Sequence, residues 1–201
     1  GLSNITMGNS DIRLYAIYLK TITITAIDYN GSSKRTQYAY GYAYNRNTSA
    51  SVSLPTIGTW KHPYCGDNHL EIKGWTTSTS ATASINYSSG ATATFSSNTT
   101  IYARYNQEVI LYIDEGHPSA IKKQYSTTNI RYFNAYGNYS NNGPWTYTIN
   151  TTCTPPSGYK WKAWGCIKPI YSGDTCYSEK QPSFVVTYRC DVMYSCLYDR
   201  R

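Results

Sequence analysis

The residues best suited to covalent chemistry are Cys65 and the two histidines near it, His62 and His69. A cysteine becomes a strong nucleophile when an adjacent imidazole takes its proton. A catalytic Cys and His are usually brought together by the fold from distant segments, whereas these three lie in one short stretch of sequence. The pattern is therefore more typical of a loop than of a nucleophilic site.

The carboxylates form no recognisable acid and base pair. Asp28 and Asp114 each follow an apolar run and precede a turn, which indicates equivalent structural positions. A glycosidase would need two carboxylates about 5–10 Å apart in one cleft. A phosphate-binding glycine-rich loop and a Gly-x-Ser-x-Gly turn are also missing from the sequence. We expect a non-enzymatic protein without catalytic residues, cofactor or metal.

The six cysteines suggest disulfide bonds. An even number, clustered in the second half of a loop-rich chain, fits an oxidising compartment, although sequence alone leaves every connectivity open. Zinc is a weak alternative because closely spaced Cys pairs are absent and the histidines lie outside the cluster. Buried free thiols remain a further alternative if the protein matures in a cytoplasm. The disulfide candidates are Cys65, Cys153, Cys166, Cys176, Cys190 and Cys196.

Residues 38–44 alternate tyrosine with alanine or glycine. Successive side chains of a strand point to opposite faces, so the tyrosines share one face and the small residues share the other. The tyrosine face either covers a core or offers a flat aromatic surface to sugar rings or to a neighbouring subunit. The candidate binding residues on this strand are Tyr38, Tyr40, Tyr42 and Tyr44.

A second candidate binding patch lies in the loop 56–69, which is longer than the matching loop further along the chain. Loops that vary between otherwise similar segments are common sites of binding. The candidate residues of this patch are Trp60, His62, Tyr64 and His69.

The charge and hydropathy of the chain restrict its partners. The formal net charge is +7, but the basic residues are scattered and form no stripe, so we expect no nucleic-acid binding. An affinity for acidic surfaces such as anionic glycans stays open. No apolar run approaches the ~18 residues that a transmembrane helix requires. The expected partners are a protein or glycan at a cell surface, or neighbouring copies of the chain itself.

The elements that position these residues are predicted to be strands in tandem repeats. Tyr, Thr, Val, Ile and Trp favour strands, and no long stretch has helical spacing of apolar residues. Residues 14–18 (LYAIY) return 87 positions later as 101–105 (IYARY), and in weaker form as 186–190 (VTYRC). Self-similarity at a fixed period indicates a unit repeated in tandem.

The repeats predict four segments. Residues 1–18 end a preceding repeat or form an N-terminal strand, 19–105 form a first β repeat, 106–190 form a second, cysteine-rich β repeat, and 191–201 form a tail. Because the chain begins within a repeat, we expect it to be a fragment of a longer protein.

Residues 74–77 (GWTT), Gly90 and 97–105 (SNTTIYARY) resemble the second half of the Listeria/Bacteroides repeat, the internalin-type B-repeat. Thr76 replaces the usual aromatic residue and Tyr105 the terminal Trp of that pattern. The apolar run 22–27 with its Asp-Tyr-Asn-Gly turn resembles the opening strand of the family. The likeness is good in 71–105, fair in 12–31 and poor in 106–190.

The resemblance implies two small, elongated, β-grasp-like or β-sandwich-like units with little helix, in a stalk, spacer or adhesion module on a bacterial cell surface. It implies no catalytic residues. A phage virion or filament component, such as a tail appendage or a pilus-like subunit, is the alternative. The predicted core residues are Trp75, Trp164, Ile101, Tyr102 and Ala103.

Overall fold

The structure is a computed structural model that describes residues 8, 11, 13, 15–42, 48–60, 65–66, 69–114, 124–150, 153–169 and 178–201. These residues form strands and loops and no helix, which confirms the expectation of a mainly β protein. The strands are β1 (Ile17–Asp28), β2 (Gly31–Tyr42), β3 (Ala50–Ser53), β4 (Leu70–Thr76), β5 (Thr92–Phe95), β6 (Thr99–Asp114), β7 (Gln124–Asn134), β8 (Tyr139–Ser140), β9 (Trp145–Ile149), β10 (Tyr159–Pro169), β11 (Phe184–Tyr188) and β12 (Val192–Arg200).

Strand β6 is the central strand of the main, eight-stranded sheet. Its 16 residues pair in parallel with β1 and β12 and antiparallel with β4 and β7. At ~3.3 Å per residue, a strand of this length extends roughly 50 Å. It is therefore long enough to serve different neighbours along its two halves.

The sequence of β6 explains this double use. Its odd-numbered residues from Ile101 to Ile113 point inwards, and all of these are buried. Ile101, Ala103 and Tyr105 belong to one hydrophobic core, whereas Val109, Leu111 and Ile113 belong to another. The polar residue Gln107 lies between the two sets. One strand thus contributes side chains to two cores separated by a polar position.

Each core is centred on a tryptophan. In the first core, Trp75 is 1% exposed and donates its indole N–H to the carbonyl of Pro55 (3.1 Å). In the second core, Trp164 is fully buried. Both were predicted as core residues from the sequence. Tyr102 was also predicted as core, but it is half-buried and packs edge-on against Tyr136. The alternation of β6 places it on the face opposite Ile101 and Ala103, so that prediction was wrong.

The same order of strand pairings occurs twice. Strands β3 and β5 form a two-stranded antiparallel sheet, and β4, between them in sequence, pairs with β6. Strands β9 and β11 form a second two-stranded sheet, and β10, between them, pairs with β12. In each case the tryptophan exchanges backbone hydrogen bonds with a residue that follows its strand. Trp75 pairs in this way with Tyr87, and Trp164 with Glu179.

Two segments differ from the predictions made for the end of the chain. Residues 186–190 were expected to match 101–105, but 186–188 lie in β11, which pairs with β9. The expected tail, 191–201, contains β12, which pairs with β6 and β10 and carries the buried Tyr194 and Cys196. The predicted boundaries at 18/19 and 105/106 fall inside β1 and β6.

The change Trp75→Ala tests the role of the first tryptophan. Truncating a buried tryptophan costs about 3–5 kcal/mol, because its transfer free energy is lost and a cavity remains. We expect that loss in the free energy of unfolding, measured by urea denaturation. The matched control is Tyr136→Ala, since Tyr136 is 59% exposed and such surface changes usually stay within about 0.5 kcal/mol. Unchanged stability of Trp75→Ala would contradict the core assignment.

Candidate functional site

The two cores meet at a buried arginine of β7. Arg131 is 1% exposed. Its Nη1 donates to the Gln107 side-chain oxygen (2.8 Å), its Nη2 donates to the Arg189 carbonyl (2.5 Å), and its guanidinium lies 5.6 Å from the centre of the Trp145 ring. Burial lowers the pKa of the Arg131 side chain. We call Gln107, Arg131 and the Arg189 carbonyl the junction clamp, because they join strands on both sides of the boundary.

A disulfide lies against this clamp. Cys65, before β4, is bonded to Cys190, before β12, and its sulfur accepts a hydrogen bond from Arg131 Nη1 (3.6 Å). A second disulfide joins Cys153 to Cys196 beside the second core. Cys166 is also disulfide-bonded, and Cys176 lies outside the described residues. Because Cys65 is oxidised, it offers no thiolate for the nucleophilic chemistry considered from the sequence.

His69 also lies at the junction. Its Nε2 is 3.4 Å from Oδ2 of the buried Asp191 and 3.3 Å from the Tyr112 hydroxyl. The other Asp191 oxygen accepts the backbone N–H of Ile110 (2.8 Å). Burial raises the pKa of Asp191, and the Ile110 hydrogen bond and nearby His69 oppose that rise. His69 was predicted to belong to a binding patch with His62 and Tyr64, which lie outside the described residues.

The tyrosine-rich strand exposes its tyrosines. Tyr38 and Tyr40 are 58% and 70% exposed, whereas Ala39, between them, is 2% exposed and belongs to the first core. Leu19 of β1 is the cross-strand neighbour of Tyr40 on the outer face. We call the exposed residues Ile17, Leu19, Tyr38 and Tyr40 the outer tyrosine face. Tyr42 is the last residue of β2, but its side chain and the whole of Tyr44 lie outside the part of the chain that the structure describes.

A pocket that was not predicted from the sequence lies at the open end of the first core. It encloses about 200 Å³. Of the candidate residues that the structure describes, only Trp60 lines it, and Trp60 is otherwise buried. The signals that could have revealed it were the Asp28-Tyr29 turn and the aromatic residues around position 136, which are distant in sequence. The lining residues are Asp28, Tyr29, Trp60, Tyr105, Phe133, Asn134, Ala135, Gly137 and Tyr139. We call this the aromatic pocket.

The described part of the chain shows no group of three or more His, Cys, Asp or Glu side chains arranged to hold a metal ion. Within the same residues there is no helix long and apolar enough to cross a membrane. Compared with known proteins, the sequence matches no protein family, no curated protein and no solved structure.

The Cys65–Cys190 and Cys153–Cys196 disulfides predict both a connectivity and their relative contributions to stability. A disulfide stabilises the folded state mainly by reducing the conformational entropy of the unfolded chain, and more so for a longer loop. On this basis the Cys65–Cys190 bond, which spans 125 residues, contributes ~5 kcal/mol to the free energy of unfolding. The Cys153–Cys196 bond, which spans 43 residues, contributes ~4 kcal/mol. Replacing both cysteines of a pair by alanine should lower the free energy of unfolding by about these amounts. Non-reducing peptide mapping checks the connectivity. Recovery of Cys65 linked to any cysteine other than Cys190 would contradict the junction described above.

Proposed function

We propose that this chain is a non-enzymatic, extracellular spacer of two tandem β units, which belongs to a bacterial surface protein and presents the outer tyrosine face to a cell-surface protein or glycan. The observation that carries the proposal is the pair of matching strand arrangements that share β6. A binding module built this way needs no catalytic group. Its work is to hold an exposed face at a fixed position.

The tandem reading is supported by equivalent residues in equivalent strands. Ile22 and Ile24 of β1 are buried in the first core. Each has an apolar counterpart 87 positions later in β6, Val109 and Leu111, and both counterparts are buried in the second core. β1 pairs with β2 antiparallel on one edge and with β6 in parallel on the other. The second half of β6 has the same two kinds of neighbour in β7 and β12.

The junction supports a spacer role because it resists bending. Two domains joined by a flexible linker move freely relative to one another. Here β6 runs through the boundary as one strand, the junction clamp crosses it, and the Cys65–Cys190 disulfide ties loops from both sides. A force applied to one unit is thus transmitted through a continuous hydrogen-bonded strand.

The outer tyrosine face supports the binding role. Exposed tyrosines on a flat strand supply large amphipathic contacts at low entropic cost, which is why tyrosine is enriched in binding surfaces. The buried Ala39 on the opposite side anchors the strand to the first core. The disulfides fit an extracellular location, and the motif resemblance to the internalin-type B-repeat agrees with a bacterial surface protein.

The alternative is a subunit of a phage virion or filament, and the edge of β1 favours it. Along the edge that faces β6, β1 forms ladder pairs with β6 at residues 24–27, while residues 19–22 pair only with β2 among the described residues. An open strand edge accepts a strand from a neighbouring molecule. Self-association that depends on concentration, measured by analytical ultracentrifugation, would favour this alternative.

Replacing the exposed tyrosines tests the binding role. The double change Tyr38→Thr and Tyr40→Thr keeps strand propensity and removes the aromatic surface. In a screen against a glycan array and against host cells, we expect the parent chain to bind and the double variant to lose at least ~10-fold in affinity, as for loss of aromatic hot-spot residues.

The matched control for this screen is Tyr147→Thr, which removes a partly exposed tyrosine from β9. We expect that variant to bind like the parent chain. Equal binding by the parent and the Tyr38/Tyr40 variant would remove the outer tyrosine face from the proposed site.

A further inference from the structure

We propose that the aromatic pocket binds a small organic cation, a quaternary or tertiary alkylammonium group. This site is separate from the outer tyrosine face and goes beyond the spacer and adhesion function. Five side chains that line the pocket carry the proposal: the aromatic rings of Tyr29, Trp60, Phe133 and Tyr139, and the carboxylate of Asp28.

The rings are oriented as the walls of a box. Tyr29 stands at 89° to Trp60, with ring centres 5.9 Å apart. The ring of Tyr139 is stacked on that of Phe133, with 25° between the ring planes and 5.7 Å between the ring centres. The ring centres of Phe133 and Trp60 are 4.1 Å apart. The face of an aromatic ring carries partial negative charge, so rings set at an angle around one cavity attract a cation together.

The only ionised group among the described lining residues is the carboxylate of Asp28. Its Oδ1 accepts the backbone N–H of Asn30 (2.9 Å) and its Oδ2 accepts that of Gly58 (3.3 Å). These bonds fix the carboxylate, and each oxygen keeps a further lone pair. In a chain with a net charge of +7, the described lining of this pocket thus carries a fixed negative charge.

Among the described residues, Arg131 is a cation close enough to Tyr139 for its charge to lower the pKa of the Tyr139 hydroxyl, against the larger effect of burial. Arg131 does not line the pocket. Its guanidinium is held by Gln107 and the Arg189 carbonyl in the junction clamp. It therefore partly offsets the charge of Asp28 without occupying the pocket.

The size and access of the pocket suit a headgroup. Its volume of about 200 Å³ is below the ~300–1,000 Å³ of pockets that hold drug-sized ligands. Tyr29 and Tyr139 are 52% and 43% exposed and form the mouth, while Trp60 and Tyr105 are buried and form the floor. The Tyr105 hydroxyl donates to the Gly58 carbonyl (3.2 Å), which makes that floor rigid.

A sugar ring fits the same residues less well. Stacking of a sugar needs a flat, open aromatic face with several free polar groups around it, whereas the rings here meet at an angle around a small cavity. The amide of Asn134 donates to the Thr79 carbonyl (2.7 Å), and its oxygen accepts the backbone N–H of Tyr136 (3.0 Å). The side-chain amide of Asn134, which a sugar would use, is thus already bonded within the protein.

The test compares choline with its neutral isostere, 3,3-dimethylbutan-1-ol, on the intact, oxidised chain. The readout is the indole N–H signal of Trp60 in NMR, assigned with Trp60→Phe. We expect saturable shifts with choline and at least ~10-fold weaker binding of the isostere, because the cation–π and carboxylate attractions require charge. Asp28→Asn, which keeps the acceptor for Asn30, and Tyr29→Leu should each weaken choline binding by about 5–10-fold.

Two controls separate this site from the proposed adhesion face. Tyr136→Ala removes an exposed tyrosine beside the pocket, and Tyr38→Thr with Tyr40→Thr removes the outer tyrosine face. Both should bind choline like the parent chain, with unchanged melting temperatures. Equal binding of choline and the isostere, a larger shift with methyl glucoside than with choline, or no shift with any of the three would each overturn the proposal.

Discussion

The structure depends on one strand that serves two cores. Because side chains of a strand alternate between faces, the inward face of β6 presents apolar residues to the first core up to Tyr105 and to the second core from Val109. The backbone of β6 bonds to four other strands along this length. Removing either half of β6 would expose one core, so each core is completed by a strand that also completes the other.

Sharing one strand between two cores buries polar groups at Gln107, where the cores meet, and burial of polar groups costs free energy. Arg131 fills the gap as a buried cation, and a buried charge is costly unless it is paired and hydrogen-bonded. Its buried Nε has no hydrogen-bond partner among the described residues, whereas its Nη1 and Nη2 donate to Gln107 and to the Arg189 carbonyl and its charge lies near the Trp145 ring. These partners come from separate parts of the chain, so the clamp forms only when both units are in place. A polar junction of this kind specifies how the units meet more than it adds stability.

Local pattern predicted much of the fold. The alternation of 38–44 foretold that tyrosines and small residues would face opposite sides, and the two tryptophans at matching positions are both buried in cores. The alternation of side chains along β6 also places Tyr102 outside the core, although its position in the repeated motif had predicted a core residue. Sequence similarity could not assign 186–190 to β11, since pairing between distant strands is set by tertiary contacts. The Cys65–Cys190 bond and the aromatic pocket unite residues far apart in sequence, which no local pattern reveals.

Native-state hydrogen exchange along β6 tests the shared strand most directly. If one continuous strand completes both cores, the hydrogen-bonded amides around Gln107 should exchange as slowly as those beside Ile101 and Leu111, at rates that approach global unfolding. The two cores should then lose protection together as urea is added. Fast exchange confined to residues 106–108, with the two halves of β6 opening at different urea concentrations, would show two independent units and contradict the account.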